Sequence, residues 1–375
     1  MMSDPKAGLH YPKETADFLA WFRYDVDCRD YLDWLRWPDG FVCTVDDCNG
    51  GGWRLGDGRY MCTVCGARTS VTAGTIFDKT RTPLTVWFHA AWMFATQKDG
   101  ISALSLQKTL EISSYQTAWT LLQRLRSVCV RPGRDRLKGT VEVDETYIGG
   151  EEPGLRGGRQ KGKKALVVVA VEQRERGFGR IRMQRIPDAK TETLRAFLAD
   201  SVEPGSTVVT DGLVSYMRAA EAAGCAHTQI VGATKELPGV HRVAALVKRW
   251  LLSTHQGSVD PDHLPEYLDE FVFRFNRRTA RNRGLLFLRL LELAVDHDPV
   301  RYSEMIKNND MPRQRPPVTP GRGGHPTSVE RATANRPWRS EPSATAGKPL
   351  PGARTASNNR RGTVLRVSDE TGIPT

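Results

Sequence analysis

Two aspartates stand at comparable places in the chain, each in or just after a run of residues typical of a β-strand. Asp144 lies within the alternating segment 141–148 (VEVDETYI), and Asp211 ends TVVTD before Gly212. In adjacent strands, their carboxylates could share Mg²⁺ or Mn²⁺, and paired cations activate water and stabilise the leaving oxygen in phosphoryl transfer. Alone, VEVDET is equally typical of an ordinary half-buried strand, and Asp211-Gly212 of an ordinary turn.

A long helix predicted over about 239–254 carries basic groups that suit the same chemistry. His241 and Lys248 lie on one face, two turns apart and about 10 Å along the axis. One can reach a metal site while the other reaches a flanking phosphate. Arg242 and Arg249 repeat that spacing on a further face. Each of these bases would also suit a solvated helix surface.

Four of the seven cysteines form a second candidate site. Their order is Cys43-x4-Cys48, thirteen residues, then Cys62-x2-Cys65, with glycines 50 to 52 at the start of the intervening hairpin. Four thiolates give closed tetrahedral coordination, so we predict a structural Zn²⁺ in a zinc ribbon. The other three cysteines are scattered, which argues against a disulfide framework.

The pattern of two short helices separated by a tight break predicts contact with DNA. Residues 102–110 and a helix that begins near Ser114 flank a tight break, the pattern of a helix-turn-helix whose second helix reads base edges. A plain helical hairpin inside a bundle would have the same pattern. The residues predicted to face DNA from the second helix are Tyr115, Gln116, Thr117 and Arg124.

Composition agrees with a nucleic-acid partner. The 375 residues carry a formal net charge of +11 and a pI of about 9.4, which favours binding to a polyanion. No apolar run reaches the roughly 18 residues of a membrane span, and the N-terminus lacks a signal-peptide core. We therefore expect a cytoplasmic, nucleoid-associated protein without a membrane partner.

The elements that would position these residues follow a recognisable order. Strands over 141–148, 165–172 and 179–186, a helix capped by Thr191, then strand–helix–strand from 206 is the order of an RNase H-like sheet, so we predict an α/β (α+β) fold. The predicted parts are an N-terminal helical segment (11–40), a zinc ribbon (41–80), a helix-turn-helix region (81–130), a linker (131–140), the RNase H-like catalytic domain (141–305) and a disordered tail (311–375).

Several of these stretches resemble one family. The chain is similar to the IS1595-type, ISXO2-like transposases from about Tyr11 to Tyr302. The matching stretches are LRWPDGFVC, TAGTIFDKT, SYQTAWTLLQRLR, VEVDETYIGG, the VTDG turn, HRVAALVKRWLLSTHQG and YLDEFVFRFNRR. The resemblance implies a DD(E/N/H)K catalytic set in an RNase H-like domain behind a zinc ribbon.

Matched position by position, the resemblance assigns roles to four residues. Asp144 and Asp211 are the first and second acids, His241 stands where many relatives have Glu or Asn, and Lys248 is the lysine seven residues on. We expect Asp144, Asp211 and His241 to hold the catalytic metal. A neutral imidazole removes one negative charge and favours softer metals than a carboxylate does, so we expect Mn²⁺ to support activity at least as well as Mg²⁺.

Other acids compete for the third position. Glu236 precedes the long helix, and Asp269 and Glu270 lie on the next helix. From strand alternation we place Glu142 and Glu145 on the face opposite Asp144 and leave both out of the site.

The implied function is that of a cut-and-paste DNA transposase. It would bind the terminal inverted repeats, hydrolyse a phosphodiester to free a 3′-OH, and join that hydroxyl to target DNA, as a homodimer or higher oligomer on double-stranded DNA. The alternatives are a transposase-derived regulator that binds DNA without catalysis, and an RNase H-like nuclease without strand transfer. The bases expected to hold phosphates are Arg156, Arg159, Lys161, Lys163, Lys164, Arg242 and Arg249.

Overall fold

In a computed structural model of the chain, residues 5–149, 164–230, 237–257 and 259–306 are described. The N-terminal part is mostly helical because its aromatic residues recur at helical spacing. Phe18 and Phe22, one turn apart, are both buried, and Tyr31 packs against Phe22. The N-terminal elements are α1 (Thr15–Trp21), α2 (Asp25–Arg36), β1 (Gly52–Arg54), β2 (Tyr60–Cys62), β3 (Arg68–Thr69), α3 (Leu84–Thr96), α4 (Ala103–Thr109) and α5 (Tyr115–Ser127).

The second part is a five-stranded mixed sheet with helices. Its strand order is the third, second, first, fourth and fifth strand of this part; the first three are antiparallel and the last two run parallel to the first. Along the chain, the elements follow the order predicted for an RNase H-like sheet. The elements are β4 (Thr140–Ile148), β5 (Ala165–Gln173), β6 (Phe178–Ile186), α6 (Thr191–Ser201), β7 (Thr207–Thr210), α7 (Val214–Ala222), β8 (Ala226–Gln229), α8 (Pro238–His255), α9 (Leu264–Asn276), α10 (Gly284–Asp296) and α11 (Tyr302–Met305).

Helices cover both faces of this sheet, and the alternation of side chains along the strands decides which residue meets which layer. Val141 and Val143 face α6 and α7, in a core that also contains Tyr216. Ile148 faces the other layer, where α8 and α9 pack with residues such as Val243. The sheet is therefore covered by helices on both sides.

One predicted cap is wrong. Thr191 is the first residue of α6 rather than its cap, and the capping position is Lys190, whose side chain makes no capping hydrogen bond. Asp188 instead accepts hydrogen bonds from the Lys190 N–H (3.2 Å) and the Thr193 hydroxyl (2.8 Å). The carboxylate just before the helix thus organises its start.

The last long helix returns to the N-terminal part. Leu286, Phe287 and Leu290 of α10 are buried in the same core as α2 and α3, not against the sheet. The predicted domain boundaries, which place α10 in the domain 141–305, do not describe this packing. Among the described residues, no helix has the length and apolar character needed to cross a membrane.

Candidate active site

Asp144 and Asp211 stand at the same level of two adjacent strands. β4 and β7 pair in parallel, with Glu142 opposite Val209. Continued by two residues, this register places Asp144 level with Asp211, which directly follows β7. Because paired strands lie about 4.8 Å apart, this register sets Asp144, in the middle of β4, beside Asp211, just past the end of β7, as the two-acid hypothesis requires.

A tight turn presents Asp211. Gly212 has a φ of +113°, which favours glycine, and a Cβ there would lie 2.5 Å from Gln229 Nε2. The Leu213 N–H donates to Asp211 Oδ1 at 3.2 Å, while the Asp211 side chain is exposed. Asp211-Gly212 is therefore a turn, as its sequence indicates, and it is also the turn that carries the second acid.

A buried tyrosine lies beneath the acids. The Tyr216 hydroxyl of α7 donates to Glu145 Oε2 at 2.8 Å. Burial raises the pKa of Tyr216 well above its ordinary value, and the negative charges of Glu145, Asp144 and Asp211 raise it further. Sequence analysis missed Tyr216, whose only signal was its place on the buried face of a short helix.

The predicted direction of the side chain is correct for Glu145 and wrong for Glu142. Glu145 meets α7, on the face opposite Asp144. Glu142 lies two residues before Asp144 and so shares its face. It is fully buried and accepts hydrogen bonds from the Val240 N–H (3.0 Å) and Gln173 Nε2 (2.7 Å). The prediction that Glu142 points away from Asp144 is wrong, because residues two apart in a strand point the same way.

The long helix α8 runs along β4 on the Asp144 face. Its first turn touches Glu142, and further along Lys248 lies close enough to Lys164 for electrostatic repulsion. Lys164 packs at the far end of β4, where a Cβ on Gly149 would lie 3.1 Å from its side chain. Asp144 lies between these two contacts along the strand, so α8 passes beside it.

The bases of α8 differ in exposure. His241 is half-buried in the first turn, whereas Lys248 is exposed. Burial of part of its side chain lowers the pKa of Lys248, and the neighbouring charge of Lys164 lowers it further. Arg242 and Arg249 are exposed on the solvent side. Two ammonium groups that repel each other form a small positive site of the kind that a phosphate neutralises.

Glu270, one of the alternative candidates for the third acid, forms ion pairs with other residues. Glu270 is fully buried and forms ion pairs with Arg126 and Arg274, each at 2.8 Å. Asp269 is half-buried on α9. Glu236 lies outside the described residues. The contacts of Glu270 give it a structural function that joins α9 to α5.

Residues 136–276, which contain both aspartates and all of α8, match the family model of the ISXO2-like transposase domain. This part of the chain is therefore similar to the ISXO2-like transposase domain. The resemblance noted in the sequence is thus confirmed for the segment that forms the sheet.

The chain is also similar to individual proteins, at lower identity. The chain is 28% identical over 291 residues to an uncharacterized protein in transposable element ISH50 of Halobacterium salinarum, covering 70% of this chain and 94% of that protein. The catalytic core domain of BIV integrase is 16% identical, with a TM-score of 0.28 and coverage of 39% and 89%. The Mos1 strand transfer complex is 14% identical, with a TM-score of 0.21 and coverage of 52% and 78%.

Ahead of the transposase domain, the four cysteines converge. The sulfur atoms of Cys43, Cys48, Cys62 and Cys65 all lie within 4.8 Å of one another. The Cys43–Cys65 and Cys48–Cys62 distances are 3.6 and 3.5 Å. A tetrahedron with Zn–S bonds of about 2.3 Å has sulfur atoms about 3.8 Å apart. Four thiols and the three-stranded sheet β1–β3 therefore fit a structural Zn²⁺ in a zinc ribbon.

Serine side chains cap both α4 and α5, and the cap of α5 by Ser114 was predicted. Ser102 Oγ accepts from the Ser105 N–H, and Ser114 Oγ accepts from the Thr117 N–H. Tyr115 and Gln116 are exposed at the start of α5. The start of this helix is therefore available to a partner.

Arg124, also predicted to face DNA, is bound within the fold. Its Nε donates to the Val300 carbonyl (3.0 Å) and its Nη1 to the Ile76 carbonyl (3.1 Å). These bonds tie α5 to the segment after α10 and to the segment between β3 and α3, and we leave Arg124 out of the DNA-facing set. The remaining predicted phosphate-binding bases Arg156, Arg159, Lys161 and Lys163 lie outside the described residues.

Proposed function

We propose that this protein is an insertion-sequence transposase that cuts and joins DNA at Asp144 of β4 and Asp211 after β7. The observation that carries the proposal is the β4–β7 register, which brings the two aspartates level inside a segment similar to the ISXO2-like transposase domain. A sheet buried on both faces is rigid, and rigid elements suit a metal site that must be held to a fraction of an ångström.

The position of each residue suggests its role in the reaction. Asp144 and Asp211 would hold a divalent cation, with His241 as a third ligand or a positioning group. Bound there, Mg²⁺ or Mn²⁺ would activate water or a 3′-OH and neutralise charge at the scissile phosphate. Lys248 and Lys164 would hold a flanking phosphate, and their mutual repulsion would be relieved by it.

DNA would also contact the protein outside this site. The exposed start of α5, with Tyr115, Gln116 and Thr117, would read the terminal inverted repeats. Arg242 and Arg249 of α8 would add phosphate contacts that position the duplex without reading its sequence. Both ends must be cut and joined together, so we expect at least a dimer on DNA. The zinc ribbon would stabilise the N-terminal part rather than take part in catalysis.

A strand-transfer assay tests the proposal, with pre-cleaved inverted-repeat ends, a plasmid target, and Mg²⁺ or Mn²⁺. We expect Asp144→Asn and Asp211→Asn each to reduce joining at least about a thousandfold, because a lost carboxylate removes a metal ligand. The matched control is Asp262→Asn, whose carboxylate forms only a partly exposed ion pair with Arg185. Full joining by both site variants would refute the proposal.

The histidine on α8 supports a second candidate, a regulator that binds DNA without catalysis. His241 lacks the negative charge of a third carboxylate. The same assay separates the candidates, because a regulator binds the inverted repeats without joining them, and a nuclease cuts without joining.

A further inference from the structure

The buried carboxylate of Glu142 holds the start of the helix that carries His241. We propose that Glu142 is a positioning residue for the active site: it caps α8 from the sheet and so places the first turn of that helix beside Asp144. The claim about positioning rests on the proposed function, whereas the cap itself does not.

The start of α8 cannot cap itself. The first N–H groups of any helix lack intrahelical partners and need an acceptor. The capping position is Leu237, which has no polar side chain, and Pro238 follows with no N–H to donate. The Val240 N–H, at the third helical position, is the group that an ordinary N-cap side chain would satisfy. Here it donates to Glu142 Oε2, 98 residues earlier in the chain.

The fit around this carboxylate is close. A Cβ on Gly239 would lie 2.8 Å from Glu142 Oε2 and 3.0 Å from the Phe178 ring. Glycine therefore lets the helix start approach the strand closely enough for the hydrogen bond. On its other side, Glu142 Oε1 accepts from Gln173 Nε2 at 2.7 Å. The carboxylate is held between β5 and α8, and its charge also suits the positive end of the helix dipole.

The consequence concerns His241, the residue directly after Val240. Its backbone N–H donates to the Leu237 carbonyl, so His241 belongs to the turn that Glu142 caps. Glu142 and Asp144 are two residues apart on one face of β4. One strand thus carries both the first acid and the residue that anchors the helix beside it. A shift of the first turn of α8 would move His241 relative to Asp144.

Hydrogen exchange followed by mass spectrometry on the zinc-loaded full chain tests the cap. Glu142→Ala should speed exchange in the first turn of α8 by about ten- to a hundredfold, since a charge-assisted hydrogen bond is lost. Gly239→Ala should act in the same direction by displacing the carboxylate, and Glu142→Gln should act less than alanine. Amides near Trp250, at the other end of α8, provide the internal reference. Glu172→Ala is the matched control, since Glu172 is also buried in the sheet but binds Arg180. Unchanged first-turn exchange in Glu142→Ala would overturn the proposal.

The strand-transfer assay tests the link to the site. Glu142→Ala should raise the Mn²⁺ concentration for half-maximal joining by about tenfold or more, and Glu142→Gln should restore part of the affinity. Loss of folded protein would lower the yield of joined product without moving that concentration. Faster exchange with an unchanged Mn²⁺ requirement would overturn the positioning role. If the wild-type protein does not join DNA, the proposed function fails, while the exchange experiment still tests the cap.

Discussion

The buried ion pairs of Glu270 should contribute to the free energy of unfolding by an amount that follows from their burial. Arg126 Nε of α5 and Arg274 Nε of α9 each donate to the Glu270 carboxylate at 2.8 Å, and the Arg126 and Glu270 side chains are 0% exposed. The Arg126 guanidinium also lies 3.9 Å from the centre of the Tyr267 ring. These contacts join α5, the proposed recognition helix, to α9 in the helical layer of the five-stranded sheet.

Removing this carboxylate leaves the Arg126 charge buried without an opposite charge. Breaking one partner of a buried pair costs about 3–5 kcal/mol, because the remaining charge is not compensated. We therefore expect Glu270→Ala to lower the free energy of unfolding by about that amount. The surface pair of Arg185 and Asp262, each more than a third exposed, is the comparison. Exposed pairs contribute about 0–1 kcal/mol, so Asp262→Ala should change little.

Urea unfolding followed by tryptophan fluorescence measures both variants on the zinc-loaded chain. Burial alone would raise the pKa of Glu270, but the charges of Arg274 and Arg126 outweigh it and hold the pKa below its ordinary value. The stability from this pair is therefore present above the ordinary carboxyl pKa of 4.5, and it is lost as the pH falls through the lower folded-state value. If Glu270→Ala costs no more than Asp262→Ala at neutral pH, the argument from buried charge is refuted.

Three further predictions concern the metal sites and a second buried acid. His241→Ala should slow strand transfer at least about tenfold, and His241→Glu should raise the rate with Mg²⁺ relative to Mn²⁺; unchanged joining by the alanine variant would exclude His241 from the site. Cys62→Ser should abolish stoichiometric Zn²⁺ by elemental analysis and destabilise β1–β3, while a full zinc content would contradict the four-cysteine site. Burial raises the pKa of Glu292 from its ordinary value of 4.5 to about 7 in the folded protein. Between these two pH values the folded protein keeps a proton on Glu292 that the unfolded chain releases, so the free energy of unfolding falls as the pH rises from 4.5 to 7. Unfolding at pH 5 and pH 8 should show Glu292→Gln more stable than wild type by about 1–3 kcal/mol only at pH 8, and equal curves would count against it.

Local patterns predicted most elements of the fold. The apolar stripe of α8, from Val240 to Leu251, is buried as its spacing indicates. Ser114 caps α5, and the alternating segment around Asp144 forms β4. Each of these features depends on residues within one or two turns, and local periodicity reports such features well.

Long-range partners were not predictable in the same way. Phe287 of α10 packs among N-terminal aromatics such as Phe18 and Phe22, although the sequence order places α10 after the catalytic sheet. Arg126 finds Glu270 at a separation of 144 residues. A stripe shows that a helix is buried, but it does not show against which partner.

The contact between Glu142 and the start of α8 lies between these two cases. Each of the two groups lacks a hydrogen-bond partner in its own local sequence, and the sequence shows this. An acid at an inward-facing strand position needs donors, since a buried carboxylate without them is costly. The helix start Leu237-Pro238-Gly239 has no capping side chain, so the N–H of Val240 needs an acceptor. Neither local sequence shows which residue supplies the missing hydrogen bond. Once the strand order places β4 beside α8, however, the two needs satisfy each other, and the same strand face then holds Asp144. Correct alternation and a count of uncapped helix starts would therefore have predicted this contact, whereas helical and strand periods alone could not.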